Sequence, residues 1–365
     1  MIQVNLDCEG PITQNDNAYE LCEAFIPKGG DFFSRISKYD DYLADVEKRQ
    51  GYKAGDTLKL VLPFLKAWGV TQSTMQDFSM KTIRLLRGAR EMLPAISQRY
   101  PTFIISTSYR PYLNALCSLT GFPEQNIYCT DVDLDSYGLP DKEIMLLKEL
   151  VSEITSQPLV QWPEEASSID DLSDTDRRLI QRLDEIFFDL IPSMAAGQIL
   201  RDVNPVGGRE KAASVNDSVK RTGLDLSQVF YAGDSITDVQ ALEMVREGHG
   251  LALSFNGNSY AIRAAEWACL SDNTMIISTL AEIFNMHGSK VFSDIPLDTE
   301  GCSMGKVLLD FLKAKGVDKR LLSPVENMAQ PPLLYLIEKT DIPALIKKSE
   351  AFRKDVRGMA VGELG

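Results

Sequence analysis

The sequence predicts an α/β protein with a doubly wound, mostly parallel sheet, helices on both faces, and a helical insertion directly after the first strand. Three observations predict it. From about residue 88 onward, short β-rich apolar runs alternate with segments of helical period, the pattern of strand–helix–strand units. The chain opens on one such run, Ile2-Gln-Val-Asn-Leu-Asp7. Between that run and the alternation, residues 14–87 carry apolar side chains at helical spacing.

Taken in order, the first run ends at Asp7, and Gly10-Pro11 breaks it. Asn17 to Ile26 reads as a helix. Gly29-Gly30 punctuates, and a second helix bears Phe32, Phe33, Ile36, Tyr39 and Leu43. A third runs from about Thr57 to Trp68 and stops near Gly69. Residues 14–87 are therefore expected to form a small helical unit. Arg90 to Gln98 reads as a helix, Thr102 to Thr107 as a strand, Pro111 to Leu119 as a helix and Gln125 to Thr130 as a strand. Residues 140–200 are helical and acidic, and are read as an insert within the α/β part. Lys211 to Arg221 is a helix, Gln228 to Asp234 a strand, and a helix follows from about Thr237. Gly250 to Phe255 and Trp267 to Leu270 read as the last strands. The α/β core is thus expected over residues 1–13 and 88–284. Residues 285–365 differ in character, with a helix at Lys306–Lys315, punctuation at Pro331-Pro332 and Pro343, and a basic helix near Ala344–Arg357. They are expected to pack on the core or serve self-association, and no chemistry is assigned to them.

Composition excludes several function classes. The 365 residues are 44% hydrophobic and 25% charged, as in ordinary folded domains, and suffice for a core domain with smaller units. Six scattered cysteines (Cys8, Cys22, Cys117, Cys129, Cys269, Cys302) make no Cys-x-x-Cys pair. That suits free thiols rather than a disulfide framework or a zinc site. With only His249 and His287, a histidine metal centre or a Ser-His-Asp triad is hard to build. A net charge of −14 argues against nucleic-acid binding. It also means that an anionic substrate must be attracted locally, by a bound cation and a few lysines or arginines. No run approaches the roughly 20 apolar residues of a membrane span, and no leader pattern opens the chain. A cytoplasmic protein that does not span a membrane is expected.

Three elements carry chemistry. Asp7-Cys-Glu9-Gly10 stands at a strand end, where two carboxylates stay close. Such a pair can ligate a hard cation, attack phosphorus and move a proton. Gly233-Asp234-Ser-Ile-Thr-Asp238 follows the apolar strand Val229–Ala232 and offers two more acids for an oxygen cage. Asp238 also suits the first turn of a helix, where the dipole favours an acid. Ser106-Thr107-Ser108 follows Phe103-Ile-Ile, and hydroxyls at the mouth of a parallel sheet suit phosphate oxygens, or equally a helix N-cap.

The order acid pair, hydroxyl, acid pair resembles motifs I, II and IV of the haloacid dehalogenase (HAD) superfamily. Gly207-Gly-Arg-Glu-Lys211 supplies a lysine where motif III would stand. Two departures stand out. Glu9 occupies a place where the family usually has Asp, a pattern that also resembles the enolase-phosphatases and phosphoserine:homoserine phosphotransferases. Pro11 stands where Thr or Val is usual and offers no backbone N–H. The helical insertion is similar in position to type-1 caps. Beyond the core, Asp7-Cys-Glu-Gly-Pro-Ile12, Asn15-Asp-Asn-Ala-Tyr-Glu-Leu21 and Gly51-Tyr-Lys-Ala-Gly-Asp-Thr-Leu-Lys-Leu60 resemble a HAD-like family of methanogenic archaea, subunit R of energy-converting hydrogenase A.

The superfamily resemblance implies a Mg²⁺-dependent phosphatase acting on a small phosphorylated metabolite. Asp7 would be the nucleophile and Glu9 the acid–base. Asp7, Glu9 through its backbone carbonyl, Asp234 and a supporting Asp238 would hold the metal. Ser106, Thr107 and Lys211 would bind the phosphoryl group, with Ser106 and Lys211 stabilising its charge. Lys28, Arg35, Lys53 and Lys59 of the cap are candidates for reading a substrate anion, although such residues are most often solvated surface charge. A phosphotransferase would use the same residues with an alcohol acceptor. The second resemblance implies a non-catalytic accessory role beside a hydrogenase complex. Association with that complex or with a second copy follows as an expectation.

Overall fold

The structure, a computed structural model, describes residues 1–163 and 165–362; the last three residues of the extension lie outside them. β1 (Gln3–Leu6) is buried along its whole length, as a central parallel strand requires. The chain then leaves the sheet for four helices, α1 (Asn17–Phe25), α2 (Gly29–Asp41), α3 (Thr57–Ala67) and α4 (Gln72–Thr82). It returns through α5 (Ala89–Ser97) to β2 (Thr102–Tyr109), α6 (Arg110–Thr120) and β3 (Ile127–Thr130). A second helical excursion holds α7 (Asp141–Ser156), α8 (Asp174–Asp184) and α9 (Gly197–Asp202). Then come α10 (Arg209–Thr222), β4 (Val229–Gly233), α11 (Val239–Glu247), β5 (Leu251–Phe255), α12 (Ser259–Ala264), β6 (Trp267–Leu270) and α13 (Met275–His287).

The strands form one eight-stranded sheet in the order β3-β2-β1-β4-β5-β6-β8-β7. The first six are parallel, with Val4 level with Thr102 on one side and Phe230 on the other. The chain winds outward from β1 in one direction and from β4 in the other, so the switch point lies between these two strands. Ligands in such sheets bind there, at the carboxyl ends. Both faces are covered. Val4, Leu6, Phe230, Leu253 and Ile276 pack in one apolar cluster, and Ile105, Tyr231, Ala252 and Val215 in another. No helix among the described residues is long and apolar enough to cross a membrane. All six cysteines are buried and unpaired.

The two helical excursions share a third apolar cluster. Leu43, Phe64 and Leu65 of the first excursion pack with Leu147, Ile180 and Phe187 of the second. The acidic segment 140–200 thus buries its apolar stripe on the helices of 14–87 rather than on the sheet.

Trp267–Leu270 does not end the sheet. The extension adds β7 (Cys302–Met304), α14 (Gly305–Ala314), α15 (Lys319–Glu326), β8 (Leu333–Leu336) and α16 (Ile342–Arg357). β8 pairs antiparallel with β6, and β7 with β8. These strands are short, and Pro331-Pro332 immediately before β8 hides it from periodicity. From β8 the chain enters α16, which lies across the sheet end. Its Ser349 hydroxyl donates to the Gly257 carbonyl at 2.6 Å.

Two acids at the end of α2 are buried. Asp40 accepts from the Tyr52 hydroxyl at 2.6 Å and the Gly55 amide at 2.9 Å, which ties the loop before α3 to α2. Burial pushes its carboxyl up to about 7 against those two donors, and burial does the same to Asp41 against the pull of Lys38. A carboxyl raised in the folded state contributes stability that is complete below about pH 4 and is lost as pH rises through about 7. Asp41→Asn is therefore expected to melt higher than wild type at pH 8, with the difference vanishing toward pH 4; thermal denaturation across that range checks it. Leu334→Ala, in the buried centre of β8, is expected to cost about 2–5 kcal/mol in denaturant unfolding.

Candidate active site

β1 and β4 end side by side. Leu6 is level with Ala232, and the Asp7 amide donates to the Ala232 carbonyl at 2.9 Å. Asp7 therefore leaves the sheet edge next to Gly233-Asp234. The turn after Asp7 is closed by the Ile12 and Thr13 amides on the Cys8 carbonyl, at 3.0 and 2.9 Å. Gly10 has φ +99, and a methyl there would run into the Asp234 carboxylate, so this position needs glycine. Pro11 is buried inside that turn.

Lys211 stands in the first turn of α10. The Gly208 amide fixes that helix start by donating to the Thr237 carbonyl at 2.9 Å. The lysine is fully buried and sits between two acids, 2.6 Å from Asp7 Oδ2 and 2.7 Å from Asp238 Oδ1. Asp238 is saturated. Its Oδ1 also accepts from the Tyr231 hydroxyl at 2.7 Å, and its Oδ2 from the Asp234 and Ser235 amides at 3.0 and 3.1 Å. Burial pulls its carboxyl up, but Lys211 and these donors outweigh burial and hold it below the usual range. Asp7 moves the other way, well above its ordinary value, because burial and Asp238 outweigh Lys211. For Lys211, burial is overcome by the two carboxylates, which raise its pKa and keep it charged.

Glu9 lines the pocket and accepts the Asn17 amide, at the start of α1, at 2.7 Å. Burial and neighbouring Asp16 raise its carboxyl well above the usual range, against Arg357 and that amide. Ser106 is buried but is not part of the pocket wall, and its hydroxyl accepts from the Ser108 amide at 3.2 Å. Of the three hydroxyl residues Ser106, Thr107 and Ser108, the last two line the pocket wall. Thr107 Oγ1 is buried without a hydrogen bond among the described residues. Alternation along β2 was not enough to choose between Ser106 and Thr107, because its pairing with β3 shifts register between Ile105 and Tyr109.

The helical unit closes over these groups. Phe33, Asp40, Asp41, Gly55, Thr57 and Leu58 face the pocket, which holds about 90 Å³ of free space. Gly55, at φ +92, packs close against Thr107 and Thr237. The cap lysines and arginine singled out in the sequence do not line the pocket. Lys59 pairs with Asp56 at 2.6 Å and Lys53 with Glu210 at 3.1 Å, Arg35 donates to the Gln157 carbonyl at 2.6 Å, and Lys28 stands just before the first turn of α2.

The pocket's arginines come from the far end of the chain. Arg353 and Arg357 of α16 are buried, and both pair with Asp234 Oδ2, Arg357 at 2.8 Å. Arg357 also donates to the Gln14 and Asn15 carbonyls at 3.2 and 2.5 Å, where the chain passes from β1 into the helical unit. The extension therefore contributes to the site. Its sequence signal was the four-residue spacing Ser349, Arg353, Arg357 on one helix face.

Asp7, Asp234 and Asp238 offer carboxylate oxygens within 4.8 Å of one another. Five carboxylates, with Glu9 and Asp16, meet three cations, Lys211, Arg353 and Arg357. The all-oxygen donor set of Asp7, Asp234 and Asp238 fits a hard divalent cation. Since Asp238 already meets five donors, Asp7 and Asp234 are the acids best placed to hold it.

Among solved structures, the chain is similar to a gene product from Archaeoglobus fulgidus, with 29% identity, a TM-score of 0.77, and coverage of 100% of this chain and 99% of that one. It also matches a phosphoserine phosphatase with a phospho-aspartyl intermediate analogue, at 12% identity and TM-score 0.44 over 73% of this chain and 91% of the other. A HAD family hydrolase from Salmonella enterica serovar Typhi matches at 12% identity and TM-score 0.43, over 72% and 65%. No protein-family profile and no curated protein matches the chain.

Proposed function

We propose that the chain is a HAD-type phosphomonoester hydrolase that works through an aspartyl-phosphate on Asp7 and depends on Mg²⁺. The observation that carries this reading is Lys211, fully buried and bridging Asp7 and Asp238 beneath a pocket mouth that also holds Glu9 and Asp234. The resemblance of the sequence to motifs I to IV supports it on the same residues.

The chemistry follows from what each group has available. An Asp7 carboxylate oxygen attacks phosphorus, and the bond from phosphorus to the leaving oxygen breaks. Lys211, locked in place by Asp238, meets the charge that spreads over the phosphoryl oxygens, and Thr107 Oγ1 supplies a donor that is otherwise unspent. Glu9 suits proton transfer because burial and Asp16 favour its protonated form. It gives that proton to the leaving oxygen, then takes one from the water that attacks the aspartyl-phosphate and releases phosphate. Bound Mg²⁺, held by Asp7, Asp234 and the Glu9 carbonyl, would supply charge screening at the phosphoryl oxygens.

The helical unit must open to admit a substrate, then close to exclude solvent. A docking role beside a hydrogenase complex would leave this costly buried charge set without use.

The test is phosphate release from a panel of small phosphomonoesters. Magnesium-dependent turnover is expected, with kcat lowered at least about a thousand-fold in Asp7→Asn and about a hundred-fold in Lys211→Met. No turnover from folded, Mg²⁺-binding protein on any compound would contradict the reading.

A further inference from the structure

Asp234 has more positive charge on it than one carboxylate needs. Arg353 and Arg357 project from one face of α16 and converge on its Oδ2. The same carboxylate belongs to the oxygen cluster with Asp7. A divalent cation and the two guanidiniums therefore share one partner, while Lys211 is already committed to Asp7 and Asp238. Guanidinium groups bind phosphate oxygens through a planar fork of donors, and both arginines line the pocket. Arg357 is held independently of Asp234 by its bonds to the Gln14 and Asn15 carbonyls. Losing the carboxylate would leave it in position, facing the pocket with donors to spare.

We propose that Arg353 and Arg357 form an oxyanion-binding pair for the phosphoryl group, held on Asp234 in the resting site and turned to the ligand when a divalent cation takes that carboxylate. This rests on the reading of the pocket as a phosphoryl-transfer site. It makes two ligands interdependent. The cation competes with the arginines for Asp234, and phosphate binds better once the cation has displaced them. It also answers how a chain of net charge −14 draws in an anion, since the local positive charge is uncovered only when the cation is present.

The test is calorimetric titration of the full-length chain with Mg²⁺ alone, and with inorganic phosphate in the presence and absence of Mg²⁺. Wild type, Arg357→Met and Asp234→Asn are compared after circular dichroism has shown each to be folded. Mg²⁺ alone is expected to bind Arg357→Met about ten-fold more tightly than wild type, because a competitor is gone. Phosphate with Mg²⁺ present is expected to bind that variant about ten-fold more weakly. Asp234→Asn, which removes the shared carboxylate without a metal, is expected to bind phosphate more tightly than wild type when Mg²⁺ is absent. Any one of these three affinities left unchanged overturns the proposal. If Arg357→Met does not fold, Arg357→Lys keeps a charge without the fork and carries the phosphate arm, with the same expected loss and the same overturning result. These are equilibrium measurements, independent of turnover. Coupled binding without hydrolysis would fail the hydrolase reading alone, and hydrolysis with uncoupled binding would fail this proposal alone.

Discussion

Five carboxylates converge where β1 and β4 end, and the structure is arranged around keeping them there. Buried charge of one sign is costly unless it is paired and hydrogen-bonded. Lys211 spans Asp7 and Asp238, and the backbone amides of Asp234 and Ser235 take up the remaining Asp238 oxygen. Two arginines hold Asp234. The compensation is incomplete, and the strain emerges as carboxyl groups of Asp7, Glu9 and Asp16 pushed above their ordinary range, chiefly by burial. A buried cluster of oxygen donors that is only partly compensated is prepared for a divalent cation and, through it, for an anion.

This one requirement explains features that otherwise look unrelated. The parallel order of β1 and β4 places two acid-bearing turns side by side at the switch point. Gly10 lets the first turn pass against Asp234 without a side chain in the way. The extension joins the sheet through β8 so that α16 can cross the sheet end and deliver its arginines. Arg357 links three parts at once, reaching Asp234 on the core and the Gln14 and Asn15 carbonyls at the root of the helical unit.

Much of this was legible in the sequence because it is local. An apolar strand that runs into an acid with a glycine close by announces a carboxylate at a sheet mouth, and it does so twice, at Asp7 before Gly10 and at Asp234 after Gly233. Lys211 was legible from its spacing before the second of these. The six parallel strands followed from apolar runs alternating with helical period. What was hidden depended on distance or on burial. Arg353 and Arg357 pair with an acid 119 and 123 residues away, and their helix reads as an ordinary basic surface because lysines share it. β8 is four residues long behind two prolines. Ser106 and Thr107 are neighbours on a strand with shifted register and were both expected to bind phosphate, and only the fold shows that Thr107 and Ser108 line the pocket while Ser106 does not. Of the cap basic residues, Lys59 pairs nearby with Asp56, whereas Lys53 and Arg35 reach Glu210 and Gln157, far along the chain.

The central claim is that Asp7 carries the phosphoryl group. An acyl phosphate can be reduced by borohydride during turnover, which marks the carboxylate that bore it, and peptide mass spectrometry locates the mark. The account predicts a reduced residue at position 7, dependent on substrate and on Mg²⁺, and at no other acid of the pocket. Turnover with no mark at Asp7, or with the mark on Asp234 or Glu9, would contradict it.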